Sequence, residues 1–140
     1  MMSEKVVPLR ERVADSEKIT INLGYVDLGR IDLLVQEGFF SNRSDFIRTA
    51  IRNELGKHSA EVTRSIARHT FEVGLVDLGA HRLEAARAAG ELLHIRVVGL
   101  LRIGPDVTPE LALQTIGSLR VLGSLQADPR VKAALASRIE

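Results

Sequence analysis

Residues 17–23, Glu-Lys-Ile-Thr-Ile-Asn-Leu, alternate polar and apolar without a break. Ile19, Ile21 and Leu23 share one side of an extended segment; Lys18, Thr20 and Asn22 share the other. This predicts a half-buried strand. After Gly24-Tyr25-Val26 the spacing becomes helical: Leu28, Ile31, Leu34 and Val35 form the apolar stripe of a first helix, with Asp27 as the expected cap and Gly38 as the stop. Phe39 and Phe40 lead into Ser41-Asn42-Arg43-Ser44-Asp45. There Ser41 or Asn42 can cap a second helix, and Asp45, three residues after Asn42, makes a variant of the capping box. Phe46, Ile47, Ala50, Ile51 and Leu55 continue that helix as a buried stripe, with Arg48 and Arg52 on its outer face. Gly56-Lys57-His58-Ser59 interrupts it, and Ala60 to Arg68 reads as a helical connector with a thin stripe at Val62, Ile66 and Ala67.

The second half of the chain repeats. Arg96-Val97-Val98-Gly99-Leu100-Leu101 matches Arg120-Val121-Leu122-Gly123-Ser124-Leu125 at a spacing of 24, and Pro105, Val107 and Leu111 match Pro129, Val131 and Leu135. Each unit predicts a strand, a proline turn and a helix. Thr108-Pro109 and Asp128-Pro129 place a capping residue before a proline at the first helical position. With a strand near 70–76 and a helix over about 77–90, this half runs strand-helix three times, a small α/β layer. Val97, Val98, Leu100 and Leu101 are apolar on both sides of their strand, which predicts a central strand covered on both faces. Gly99 and Gly123 inside strands mark bulges or close packing. A further likeness, Gly24-Tyr25-Val26-Asp27-Leu28-Gly29 against Gly74-Leu75-Val76-Asp77-Leu78-Gly79, is either an old duplication or a coincidence.

A single short strand cannot satisfy its own backbone amides and carbonyls, so residues 17–23 need a partner strand. A second copy of the chain supplies one as a two-stranded antiparallel ribbon across a twofold axis.

Charge changes the picture only in one respect. The net charge is +1, and the two halves, residues 1–70 with 11 Lys/Arg against 10 Asp/Glu and residues 71–140 with 8 against 8, are each nearly neutral. Any basic surface must be local. The absence of cysteine excludes disulfides, thiolate metal sites and a cysteine nucleophile. With no long apolar run and no leader-like N-terminus, a cytoplasmic protein without a membrane span is expected. No Gly-rich phosphate loop, nucleophile elbow or close carboxylate pair is present, so the chain is not expected to be an enzyme or to need a cofactor.

The run Gly38-Phe39-Phe40-Ser41-Asn42-Arg43-Ser44-Asp45-Phe46-Ile47-Arg48, behind an alternating strand and a first helix, resembles the ribbon-helix-helix family of CopG-, Arc- and MetJ-type repressors. The resemblance covers about residues 17–57. It implies an intertwined homodimer whose ribbon enters the major groove of double-stranded DNA, with Lys18, Thr20 and Asn22 facing base edges. It also implies phosphate anchoring at the start of the second helix by Ser41, Asn42, Arg43 and Ser44. A C-terminal extension resembles the layout of nickel-responsive members, but His58, His69, His81 and His94 lie 11 to 13 residues apart without a close ligand pair, so no metal site is expected.

The expected fold class is α+β. A mobile arm over 1–16, in which Arg10 and Arg12 could touch the DNA backbone, precedes a ribbon-helix-helix domain over 17–57. A helical connector over 58–69 and an α/β domain over 70–140 follow, the last joining dimers into tetramers or larger assemblies, or binding a partner or effector. The expected function is that of a transcriptional repressor or autoregulator. The alternatives are an antitoxin-like protein with a partner-binding C-terminal half, and a structural protein assembling through its repeated strands.

Overall fold

The computed structural model describes residues 16–140, so the expected arm, with Arg10 and Arg12, lies outside the described residues apart from Ser16. The chain is mixed helix and strand and divides into two compact units, Met1–His58 and Ser59–Glu140.

The first unit carries two helices, α1 (Tyr25–Gln36) and α2 (Arg43–Lys57). α1 starts earlier than an Asp27 cap would allow. Its N-cap is Gly24, whose carbonyl accepts the Leu28 amide at 3.1 Å, and Asp27 lies inside the first turn. A carboxylate there still faces the positive end of the helix. α1 ends in a Schellman turn, with Gly38 at φ +87°, its amide on the Val35 carbonyl (3.1 Å) and the Phe39 amide on the Leu34 carbonyl (3.0 Å). Only a residue without Cβ takes this left-handed conformation cheaply, so Gly38 both ends α1 and turns the chain toward α2.

The second unit begins with α3 (Ser59–His69), which the expected organisation had as a connector. Three parallel strands follow, β1 (Glu72–Leu78), β2 (Leu93–Ile103) and β3 (Ile116–Gln126), in the spatial order β1-β2-β3. They alternate with α4 (Ala80–Ala88), α5 (Pro109–Thr115) and α6 (Pro129–Leu135), and a 3-10 turn (Ala136–Arg138) closes the unit. Both proline-led helices are capped as their sequences require: Thr108 Oγ1 accepts the Leu111 amide at 3.1 Å, and Asp128 Oδ1 accepts the Arg130 amide at 2.8 Å. The hydrogen bond from the Arg130 amide, with a further one from its side chain, holds the Asp128 carboxyl below the usual carboxylate range. Arg138 donates to the Leu113 and Ile116 carbonyls (2.5 and 2.8 Å), which ties the closing turn to the end of α5.

The 24-residue repeat is realised directly in the strand pairing, Val97 beside Val121 and Gly99 beside Gly123. β1 joins the same series, since Gly74 pairs with Gly99. The hexapeptide likeness between residues 24–29 and 74–79 is therefore not structural: Asp27-Leu28 is helix and Asp77-Leu78 is strand.

Parallel strands laid down in sequence, joined by crossovers of one hand, put all their helices on one side of the sheet. Leu83, Val97, Leu101, Leu111, Leu119 and Leu135 make the core between that side and the helix layer. This corrects the expectation of a strand covered on both faces. β2 is central, but Val98 and Leu100 are only half-buried, and the flanking Val73, Leu75 and Leu122 on the same side are exposed.

Candidate nucleic-acid interface

Residues 16–24 form neither helix nor strand ladder in the single chain, as expected for a segment that cannot pair with itself. Lys18, Thr20 and Asn22 are exposed. On the alternate positions, Ile21 and Leu23 border an apolar groove of about 390 Å³ whose other walls include Ile31 and Leu34 of α1 and Phe46 and Ile51 of α2. The groove is unusual for a folded unit. Ile31, at 5% exposure, is the one buried residue among the unit's described residues, whereas Ile19, Ile21 and Ile51 are 71%, 57% and 47% exposed. Apolar side chains placed around a cleft with so little of their surface covered form an exposed apolar patch of the kind that marks an interaction surface.

The start of α2 is tightly built. Asn42 is the N-cap, its Oδ1 accepting the Asp45 amide at 2.8 Å, and Asp45 Oδ2 in return accepts the Ser41 amide at 2.9 Å. The capping box expected from Asn42 and Asp45 therefore closes on the amide of Ser41, one residue before the cap. Phe40 packs edge-to-face on Phe46 at 5.1 Å between ring centroids, a clasp across the same turn. The Arg43 guanidinium, expected at the phosphate anchor, makes a bidentate pair with Asp32 of α1, both hydrogen bonds 2.8 Å. These bonds hold the Asp32 carboxyl below the usual carboxylate range, against some desolvation and with charge attraction adding to them; the same bonds raise Arg43. Sequence reasoning missed this tie because its partners are 11 residues apart, on two helices whose angle only the turn fixes. Ser41 and Ser44 are exposed at the helix start, and so are Arg48 and Arg52 further along α2.

The four histidines are dispersed. His58 lies 3.1 Å from Glu54, His94 Nδ1 lies 2.8 Å from Ser118 Oγ, His69 stacks edgewise near Phe71, and His81 is exposed. Among the described residues no group of three potential ligands comes together for a metal. In the second unit, a hollow of about 510 Å³ at the C-terminal ends of the strands is bordered by Asp77, Arg102, Gln126 and Asp128. Arg102 is already engaged there, with Nη2 donating to Asp77 Oδ2 at 3.3 Å and Nε 2.9 Å from Oδ1. No helix among the described residues is long and apolar enough to cross a membrane.

An extended segment of alternating polar and apolar residues, followed by two helices joined through a glycine turn and a capped Asn-Arg-Ser-Asp start, is the arrangement of a regulator of the ribbon class. The chain belongs to the ribbon-helix-helix transcriptional regulator family, whose model matches residues 14–132 and so takes in parts of both units. Comparison with curated proteins and with solved structures returned no match.

Proposed function

We propose that the protein is a homodimeric transcriptional repressor or autoregulator that reads double-stranded DNA through a two-stranded antiparallel ribbon. Residues 17–23 of two copies pair across a twofold axis. Each ribbon strand then covers apolar surface of both copies while Lys18, Thr20 and Asn22 face the major groove. The observation that carries this reading is the apolar groove bordered by Ile21, Leu23, Ile31 and Ile51, a half-core that a second copy completes.

Lysine can donate to guanine N7 and O6, asparagine can pair with adenine N6 and N7, and threonine can meet the thymine methyl. The α2 start supplies the phosphate anchor through the Arg43 and Ser44 amides and the Ser41 and Ser44 hydroxyls. The Asn42 side chain serves as the helix cap, and the Arg43 guanidinium holds α1 against α2. With so few free cations at the anchor and a net charge of +1, one dimer binds modestly, and occupancy depends on dimers joining through the second unit. The antitoxin alternative fits less well, since the C-terminal half is an ordered sheet with a core of its own and not a short tail that orders on a partner.

Selection of bound sequences from a random DNA pool, at several salt concentrations, tests the proposal. A short palindrome or tandem repeat is the expected product. Lys18→Ala and Asn22→Ala should each lower preference for it by about tenfold or more, from roughly 1–3 kcal/mol per lost bidentate contact. Unchanged discrimination in both variants would show that the ribbon does not read the bases.

A further inference from the structure

Gly74, Gly99 and Gly123 stand side by side across the sheet, and all three adopt left-handed φ values of +122°, +141° and +127°. For two of them the reason is visible. A Cβ on Gly99 would overlap the Gly74 carbonyl, and a Cβ on Gly123 would overlap the Gly99 carbonyl. Each glycine leaves room for the carbonyl of the strand before it. Gly74 has the same conformation, yet none of the described residues lies within 4 Å of where its Cβ would be. It is a slot for a glycine carbonyl on the free edge of β1, and the repeat directs the Gly123 carbonyl to the opposite free edge.

We propose that β3 of one copy adds in parallel to β1 of the next, with the Gly123 carbonyl filling the Gly74 slot. The glycine register then fixes every neighbouring pair. Val73 meets Leu122 of the next copy on the open side of the sheet, and Val76 meets Leu125 on the core side. Inside one chain, the corresponding rows are Val73-Val98-Leu122 and Val76-Leu101-Leu125, so the contact between copies repeats pairings the sheet already uses. It also covers edge residues that are otherwise open, Val73 at 66% and Leu122 at 49% exposure. The free edge of β3 is long enough: the C-terminal residues occupy it only at Leu119, through a bridge to Ile139 and the Glu140 amide on the Leu119 carbonyl (2.7 Å). In the glycine register β1 begins opposite Val121, beyond that point.

Such a contact is heterologous, head to tail, and generates a ring or an open row of subunits. It gives specific form to the reading that the second unit joins dimers, and it does not depend on how the first unit meets DNA.

The protein has no cysteine, so engineered ones report without background. Adjacent strands lie about 4.8 Å apart, within disulfide range, while β1 and β3 of one chain are two strand spacings apart, about 9–10 Å, and cannot be bridged. The full-length single variants Val73→Cys and Leu122→Cys are mixed without DNA under a mild oxidant. The expected product is a mixed covalent dimer, and the Val73→Cys/Leu122→Cys double variant should form covalent ladders. Pairing Val73→Cys with Val121→Cys, one residue out of register, should give a several-fold lower yield. Equal yields in and out of register would overturn the proposal, as would cross-linking of Val73→Cys chiefly to itself or no cross-linking at all. If the variants fail to fold, sedimentation of the unaltered chain without DNA decides. Mass growing with concentration beyond a dimer supports the edge contact, and a fixed dimer mass overturns it.

Discussion

The two units solve the problem of burying apolar surface in opposite ways. Ser59–Glu140 encloses Leu83, Val97, Leu101, Leu119 and Leu135 completely within one chain. Among its described residues, Met1–His58 encloses only Ile31 and leaves a groove between its helices. A complete core gives stability that is a property of one chain, whereas a core completed by a second copy, as proposed for the first unit, gains stability with the logarithm of protein concentration. The contrast places self-sufficient folding in the repeated strands, and in the first unit it leaves the apolar groove that the proposed dimer would cover.

The sharpest way to break this comparison is Gly99→Val. Its side chain meets the Gly74 carbonyl and requires a strained φ, so a loss of more than about 3 kcal/mol is expected in the second unit. In urea, the C-terminal transition should disappear while the N-terminal one persists and still shifts with protein concentration. A common loss of both transitions would show that the units fold as one. Asn42→Ala is smaller. Removing the cap of α2 should cost about 0.5–2 kcal/mol, confined to the concentration-dependent transition, with Asn42→Asp retaining most of it.

The smallest effect concerns the Asp32–Arg43 pair. Because the folded-state pKa of Asp32 is depressed, the tie contributes above the unfolded value of 3.8 and is lost as pH falls through the lower folded value. Between pH 5 and 8 the pair should leave the first unit's midpoint unchanged. Below about pH 4 the wild type should approach Asp32→Asn, a difference that urea titrations at pH 7 and pH 3 would show. A gap between the two proteins that persists undiminished at pH 3 would remove the pair from the account.

How much was legible in the sequence follows the distance over which each feature is decided. Asn42, Thr108 and Asp128 cap helices through bonds to residues two or three positions away, and the sequence exposes them. The repeat was legible because identical residues recur at a constant interval. Gly74 was missed as its third member because its neighbours Leu75-Val76-Asp77-Leu78 matched an earlier hexapeptide more closely than they matched the other strands. That β2 is covered on one face only was also hidden. Val98 and Leu100 announce an apolar position, but only the hand of the crossovers settles which side receives the helices. Of the candidate interface, the capping box of Asn42 and Asp45 was legible, and the Arg43 tie to Asp32 was not.

The even spacing of the strands also has a kinetic meaning. Apart from the irregular start at Leu93 and Ile116, each strand residue pairs with one 24 or 25 positions away, as Gly74 with Gly99 and Gly99 with Gly123, so the closures in the sheet span nearly the same length of chain. No contact between strands waits on a much longer loop, and the entropy lost at each closure is nearly equal. The second unit can therefore start from either adjacent pair of strands and grow outward by one repeat. If copies join as proposed at the Gly74 edge, that edge is already in place once β1 and β2 have paired, so a neighbouring copy can dock there before β3 is added.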